Sequence, residues 1–265
     1  VGLHFFSPVD KMRLVEIITG AQTSPETLAK AFDYVLQIRK TPIVVNDSRG
    51  FYTSRVFSTY VQEGQALLGE GQHPRAIEMA GLQAGMPVGP LALSDEVSLG
   101  LMLHIREQTR QDMAAEGKEL PSHPSDRVLD VMTGEYGRFG KAKGAGFYEY
   151  PANGGKYLWQ ELQTIFPRQG AKLSQEAMIE RMMFIQALET ARCYEEGVLT
   201  SVADANIGSI FGWGFAPFKG GTLQFINDYG VAKFVTRSEE LAETYGERFQ
   251  PPALLRQMAE RGESF

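Results

Sequence analysis

The sequence predicts a mainly α chain: a short piece of α/β sheet, then two all-helical units in tandem. Three observations predict this. The strand-like runs rich in β-branched residues, at 14 to 18 and 42 to 46, both lie within residues 1 to 47. From Phe51 onward the apolar spacing is helical, interrupted by Gly and Pro. A set of spaced charged residues then recurs in the second half of the chain.

Taken in order, residues 1 to 6 are apolar around one histidine, His4, and Pro8 ends the run. Residues 14 to 18 form a second strand-like segment. Thr23-Ser24-Pro25-Glu26 reads as a helix start, with a hydroxyl cap, a proline in the first turn and an early acid. Leu28, Ala31, Phe32, Val35, Leu36 and Ile38 give that helix an apolar face. Residues 42 to 46 complete a strand, strand, helix, strand order. Such a piece is too small to be a domain alone.

Asp47-Ser48-Arg49-Gly50 is a turn, and a long helix is expected from Arg55 to about Leu68. Further helices are expected over 75 to 85 and 95 to 116, broken at Gly85-Met86-Pro87-Val88-Gly89-Pro90. Residues 121 to 150 end in a Gly- and Lys-rich loop with aromatics, from Gly140 to Tyr148. Residues 151 to 174 read as a linker with one short helix. A second helical block follows over 175 to 265. The expected domains are therefore 1–47, 48–150, the linker 151–174, and 175–265.

The two blocks resemble each other. Sixteen residues separate Arg55 from Gly71, and sixteen separate Arg181 from Gly197. Glu63 and Glu189 hold the same offset, as do Glu70 and Glu196. Each block then has a short helix and a Gly/Pro break, the second at Gly212-Trp213-Gly214-Phe215-Ala216-Pro217. This pattern predicts a duplicated helical unit.

Composition narrows the function. Hydrophobic residues make up 43% and charged residues 22% of 265, ordinary for a globular chain with a real core. The net charge of −6 argues against nucleic acid as main partner, because a phosphate-binding surface needs a basic excess. No apolar run approaches a membrane span, and the first residues lack the pattern of a signal peptide. The single cysteine, Cys193, cannot form an internal disulfide, which points to a reducing compartment, and its apolar helical setting reads as a small buried hydrophobe. The chain opens without Met inside an apparent strand, so preceding residues are expected in the natural protein.

Four residues are candidates for chemistry. By position alone His4 reads as a satisfied histidine at a strand end. Glu16, however, lies between Val15 and Ile17, where an acid is costly unless paired. If the two segments pack side by side, Glu16 accepts a bond from the imidazole, fixes its tautomer and leaves the other nitrogen for a substrate proton. Ser7 ends the histidine strand, where open α/β sheets bind ligands. Ser54 lies one turn into the helix after the sheet. For either serine, a cap or turn role is the commoner one. The Lys141/Lys143 loop reads equally well as a phosphate contact or as a solvated turn, and Gly212-Trp213-Gly214 as a tight helix junction. His73, His104 and His123 show no metal-ligand spacing, so no metal site is expected. The ten methionines read as core filling.

The segment Gly2-Leu3-His4-Phe5-Phe6-Ser7-Pro8, with Glu16 twelve residues after the histidine, resembles the signature of L-3-hydroxyacyl-CoA dehydrogenases. It is most similar to the version in the large multifunctional subunit of fatty-acid β-oxidation. The likeness continues at residues 47 to 55, 85 to 90 and 143 to 148, and in the second block at Glu195-Glu196-Gly197, Ala203-Asp204 and 212 to 221. The resemblance implies that residues 1 to 47 are the end of a Rossmann NAD-binding domain. It implies His4 as catalytic base, Glu16 as its partner, Ser7 at the nicotinamide and Ser54 at the substrate. The family commonly carries Asn at the Ser54 position, and its single-function members carry Asn at the Ser7 position. The chain contains no Gly-x-Gly-x-x-Gly turn, so the isolated chain is expected to bind no NAD and to be inactive. The implied partners are an acyl-CoA substrate, a thiolase subunit and a homodimer mate. The implied setting is the bacterial cytoplasm or the mitochondrial matrix. Two other functions stay open on the sequence: a non-catalytic helical substrate-and-assembly module, and a related dehydrogenase of another 3-hydroxy acid.

Overall fold

A computed structural model describes residues Val1–Phe265. Three strands form one mixed sheet: β1 (Gly2–Phe5), β2 (Leu14–Thr19) and β3 (Thr41–Asn46), in the order β1-β2-β3. β1 pairs antiparallel with β2, and β2 pairs parallel with β3. A parallel pair needs a crossover, and α1 (Pro25–Gln37) supplies it. Ser24 caps α1 by accepting from the Thr27 N–H, and Pro25 occupies the first turn. Ala31 and Val35 of α1 bury against Val15 and Ile17 of β2, with Leu3, Phe5, Leu28 and Val44 around them.

The remainder is largely helical: α2 (Thr53–Gly69), α3 (Pro74–Gln83), α4 (Pro90–Val97), α5 (Leu99–Ala115), α6 (Ser125–Asp130), α7 (Leu162–Ile165), α8 (Gln175–Glu195), α9 (Val202–Trp213), α10 (Thr222–Tyr229), α11 (Val231–Tyr245) and α12 (Ala253–Arg261). Helix resumes at Pro90, earlier than the expected residue 95. Proline lacks only an N–H that the first turn leaves unpaired anyway. Ser98, at φ +86, then separates α4 from α5. The 151–174 segment holds more than one short helix. Its strand β5 (Tyr157–Leu158) folds back antiparallel on β4 (Tyr148–Glu149).

The chain divides into two compact units. One comprises Val1–Thr59 and Met183–Phe265, the other Tyr60–Met182. In the first unit α9 packs on β2 and β3. Val44 N donates to Asp204 at 3.0 Å, Asn46 Nδ2 donates to the Gly197 carbonyl, and Val45 bridges to Leu199. Two glycines of α9 permit the approach. A Cβ at Gly208 would lie 2.8 Å from Ile43 Cδ1, and one at Gly212 would lie 3.0 Å from Leu14 Cδ2. Arg55 of α2 pairs here with Glu189 and Glu196 of α8.

In the second unit Arg181 of α8 pairs with Glu63 at 2.5 Å and with Glu70 at 2.7 Å. Arg181 and Glu63 are both fully buried. Two further buried acids, Glu78 and Asp95, organise the loops. Glu78 accepts from the Leu91 and Ala92 N–H groups at the start of α4 and from the Tyr148 hydroxyl. Asp95 accepts from Phe147 N, Tyr148 N and the Tyr150 hydroxyl. Burial pushes both carboxyls above their ordinary range, against the bonds that favour their ions. No helix is long and apolar enough to cross a membrane.

Candidate functional site

The site is built from a strand register and a helix start. In the antiparallel β1–β2 pair, His4 stands directly opposite Glu16. Opposed side chains on one face of such a pair have Cβ atoms about 5 Å apart, so the two side chains meet. His4 Nδ1 and Glu16 Oε2 are 2.8 Å apart. Glu16 is 0% exposed and His4 is 29% exposed.

A buried carboxylate needs donors. Glu16 receives them from the segment that opens α2. The Tyr52 and Thr53 N–H groups donate to Oε1 at 3.0 and 3.1 Å. The Thr53 hydroxyl donates to Oε2 at 2.8 Å. The first N–H groups of a helix have no intrahelical partner, and the helix N-terminus favours an anion. Gly50 at φ +76 and Phe51 at φ +50 turn the chain into this position. Phe51 is a left-handed non-glycine residue, a conformation that costs on the order of 1 kcal/mol and needs its surroundings to hold it.

The segment is anchored from behind. The Tyr52 hydroxyl donates to the Ala205 carbonyl at 2.7 Å, and its ring meets Trp213 edge-on at 5.5 Å. Burial pushes the Tyr52 phenol up, so it remains a protonated donor. Trp213 Nε1 donates to Gln186 Oε1 at 2.9 Å, which makes the Gly212-Trp213-Gly214 stretch a helix junction. Phe6 and Phe51 flank the imidazole, with centroids at 4.6 and 5.9 Å.

This arrangement fixes the chemistry available. An ionised Glu16 can only accept, so the Nδ1 atom carries the proton toward it. The other ring nitrogen, Nε2, then holds a lone pair on a part-exposed ring with apolar neighbours. That describes a general base whose cation has a carboxylate beside it.

The structure brings His4 and Glu16 into direct contact. Ser7 is exposed just beyond the end of β1, and Ser54 is half-buried in the first turn of α2. Neither hydroxyl bonds to the dyad. The Ser54 carbonyl accepts from the Ser58 hydroxyl. Lys141 pairs with Glu96 on a short surface turn. Cys193 is buried, and burial pushes its thiol up to about 12. No group of three His, Cys, Asp or Glu side chains could hold a metal ion.

Sequence reasoning missed the cradle at Tyr52 and Thr53. Two of its three donors are backbone N–H groups, which no residue type announces. The signal within reach was Thr53 itself, a donor side chain one residue inside a helix start that follows a tight turn.

Comparison with known proteins gives consistent matches. Residues 1–48 match the family model described as 3-hydroxyacyl-CoA dehydrogenase, NAD binding domain. Residues 50–150 match the one described as 3-hydroxyacyl-CoA dehydrogenase, C-terminal domain. Among solved structures, the chain is similar to 3-hydroxybutyryl-CoA dehydrogenase from Escherichia coli K12, with a TM-score of 0.76 and 22% identity over 98% of this chain and 70% of that one. It is also similar to the dehydrogenase part of multifunctional enzyme 1 from C. elegans, with a TM-score of 0.71 and 24% identity, covering 97% of this chain and 58% of that one.

Proposed function

The chain belongs to the 3-hydroxyacyl-CoA dehydrogenase family, and from that premise we propose that its parent protein oxidises L-3-hydroxyacyl-CoA to 3-ketoacyl-CoA with NAD, in fatty-acid β-oxidation. The observation that carries this is the buried, fully donated Glu16 set against a part-exposed His4. His4 Nε2 takes the proton of the C3 hydroxyl. Glu16 stabilises the imidazolium that results. The apolar rings of Phe6 and Phe51 shield that ion pair from water. Ser54 bonds the substrate, and the exposed Ser7 bonds the nicotinamide end of the cofactor. NAD, when bound, supplies the hydride acceptor for C3.

The residues present fit the cofactor only in part. Ser7 and the end of β1 suit the nicotinamide, but none of the 265 residues forms the Gly-x-Gly-x-x-Gly turn that cradles a pyrophosphate. Alone, the chain is therefore the substrate-binding and assembly part of the enzyme, inactive without a phosphate cradle. Calorimetry should detect no micromolar NAD binding to it.

Residues 48–150 and 175–265 are read as two copies of one helical unit. The helix series α2 to α5 and α8 to α11 follow the same order, and α4 and α10 both span eight residues. Ser98 and Gly230 hold nearly the same backbone, φ +86 and ψ 121 against φ +87 and ψ 117, before α5 and α11. Glu78 caps the start of α4 as Asn206 caps the start of α10. The charged sets match as well: Arg55 meets the second block's Glu189 and Glu196, and Arg181 meets the first block's Glu63 and Glu70.

The substrate class is tested on the protein carrying a complete NAD-binding domain. NADH formation is measured from L-3-hydroxyacyl-CoA and from the matching free hydroxy acids. Turnover of the thioester is expected. Preference for the free acid would replace this reading with a dehydrogenase of another 3-hydroxy acid.

A further inference from the structure

Glu16 orients His4 only while its Oε2 atom stays in line with Nδ1. The two backbone donors, Tyr52 N and Thr53 N, both bond to Oε1. Two bonds to one oxygen leave the carboxylate free to pivot about it, and the pivot carries Oε2 away from the imidazole. One protein donor besides His4 reaches Oε2: the Thr53 hydroxyl, at 2.8 Å. Building on the reading of His4 as base, we propose that Thr53 is a positioning residue whose hydroxyl locks Glu16 Oε2 in line with His4 Nδ1. It thereby keeps the ring proton on Nδ1 and the Nε2 lone pair free for substrate.

The packing supports a device of this kind. Thr53 is 1% exposed. Its Cγ2 methyl faces α9, where a Cβ built on Gly212 would lie 3.4 Å away. Tyr52, the residue before it, is tied to α9 through the Ala205 carbonyl. The methyl and the hydroxyl thus serve different neighbours: the methyl packs on α9 while the hydroxyl holds Glu16. Valine keeps the shape and the methyl but cannot donate. Serine donates but lacks the methyl. The two variants therefore separate hydrogen bonding from packing.

The test uses Thr53→Val and Thr53→Ser, each checked for folding by circular dichroism. Ring-nitrogen NMR of this chain reads the His4 tautomer, with His4→Gln identifying its signals. Steady-state kinetics is run on the protein with its complete NAD-binding domain. Thr53→Val should mix the two tautomers of His4 and lower kcat about tenfold, a part of the roughly 10²- to 10⁴-fold that a positioned base contributes, with KM nearly unchanged. Thr53→Ser should restore the single Nδ1–H tautomer and most of kcat. A single tautomer and wild-type kcat in Thr53→Val would overturn the proposal. So would equal impairment in the two variants, which would mark a packing role. The tautomer is read without substrate, so it decides the role of Thr53 even if the parent protein fails to oxidise hydroxyacyl-CoA.

Discussion

Replacing Glu16 with Gln removes one charge and almost no volume, so the hydrogen-bond map determines the effect on catalysis. Oε1 accepts from two backbone N–H groups, so the amide oxygen must occupy that position. The amide NH2 then stands where Oε2 stood, facing the Thr53 hydroxyl and His4 Nδ1. The Thr53 hydroxyl can turn and accept. His4 can accept only by presenting a lone pair at Nδ1, which moves its proton to Nε2. The base is then capped on the side meant for substrate. A positioned general base contributes about 10²- to 10⁴-fold, so kcat should fall roughly a thousandfold, near 4 kcal/mol of barrier. Hydrogen bonds to a charged acceptor exceed neutral ones by about 1 kcal/mol each, but the variant also avoids burying a charge, so folding should survive. The assay is kcat and KM of the complete protein on hydroxyacyl-CoA, with the ring-nitrogen NMR of His4. A kcat within about tenfold of wild type would refute the reasoning. Loss of activity with the Nδ1–H tautomer retained would refute it too.

Two further predictions concern stability. Arg181→Met leaves the fully buried Glu63 without its main cation and should cost about 3–5 kcal/mol in chemical denaturation. Arg55→Met should cost about 1 kcal/mol, because Glu196 is 49% exposed and Glu189 keeps Arg192; equal losses would contradict this account of burial. Glu78 has a folded-state pKa raised by burial. The folded protein therefore binds its proton more readily than the unfolded chain, so this group's contribution to stability is present at low pH and is lost as pH rises through the raised value. The melting temperature of wild type relative to Glu78→Gln should accordingly climb as pH falls from neutral toward the ordinary carboxylate range; a flat difference would show that the bonds from Leu91, Ala92 and Tyr148 offset the desolvation and leave the carboxyl unshifted.

Much of this was legible in the sequence, for physical reasons. β2 and β3 were readable because β-branched runs bounded by turn residues fit a pleated, buried surface, and α1 because Ser24, Pro25 and Glu26 spell a helix start. The contact between His4 and Glu16 was legible as chemistry, since an acid among Leu14, Val15, Ile17 and Ile18 must find a partner. Its register was not, because pairing depends on how the loop from Phe6 to Arg13 closes. The cradle for Glu16 stayed hidden, because two of its three donors are backbone groups 36 and 37 residues along the chain, brought into place by a turn. The matched Arg and Glu offsets were visible as a pattern, yet nothing in the spacing says that each arginine pairs with the acids of the other block. Glu78 and Asp95 were missed because they sit in ordinary helical patterns, and their partners are N–H groups and tyrosines far along the chain.

The central claim is that His4 is the base. It is tested most directly by His4→Ala in the protein with its complete NAD-binding domain, with NADH formation from L-3-hydroxyacyl-CoA measured beside circular dichroism. The account predicts a loss of kcat of at least about a hundredfold with the fold intact. Turnover near that of wild type would contradict it.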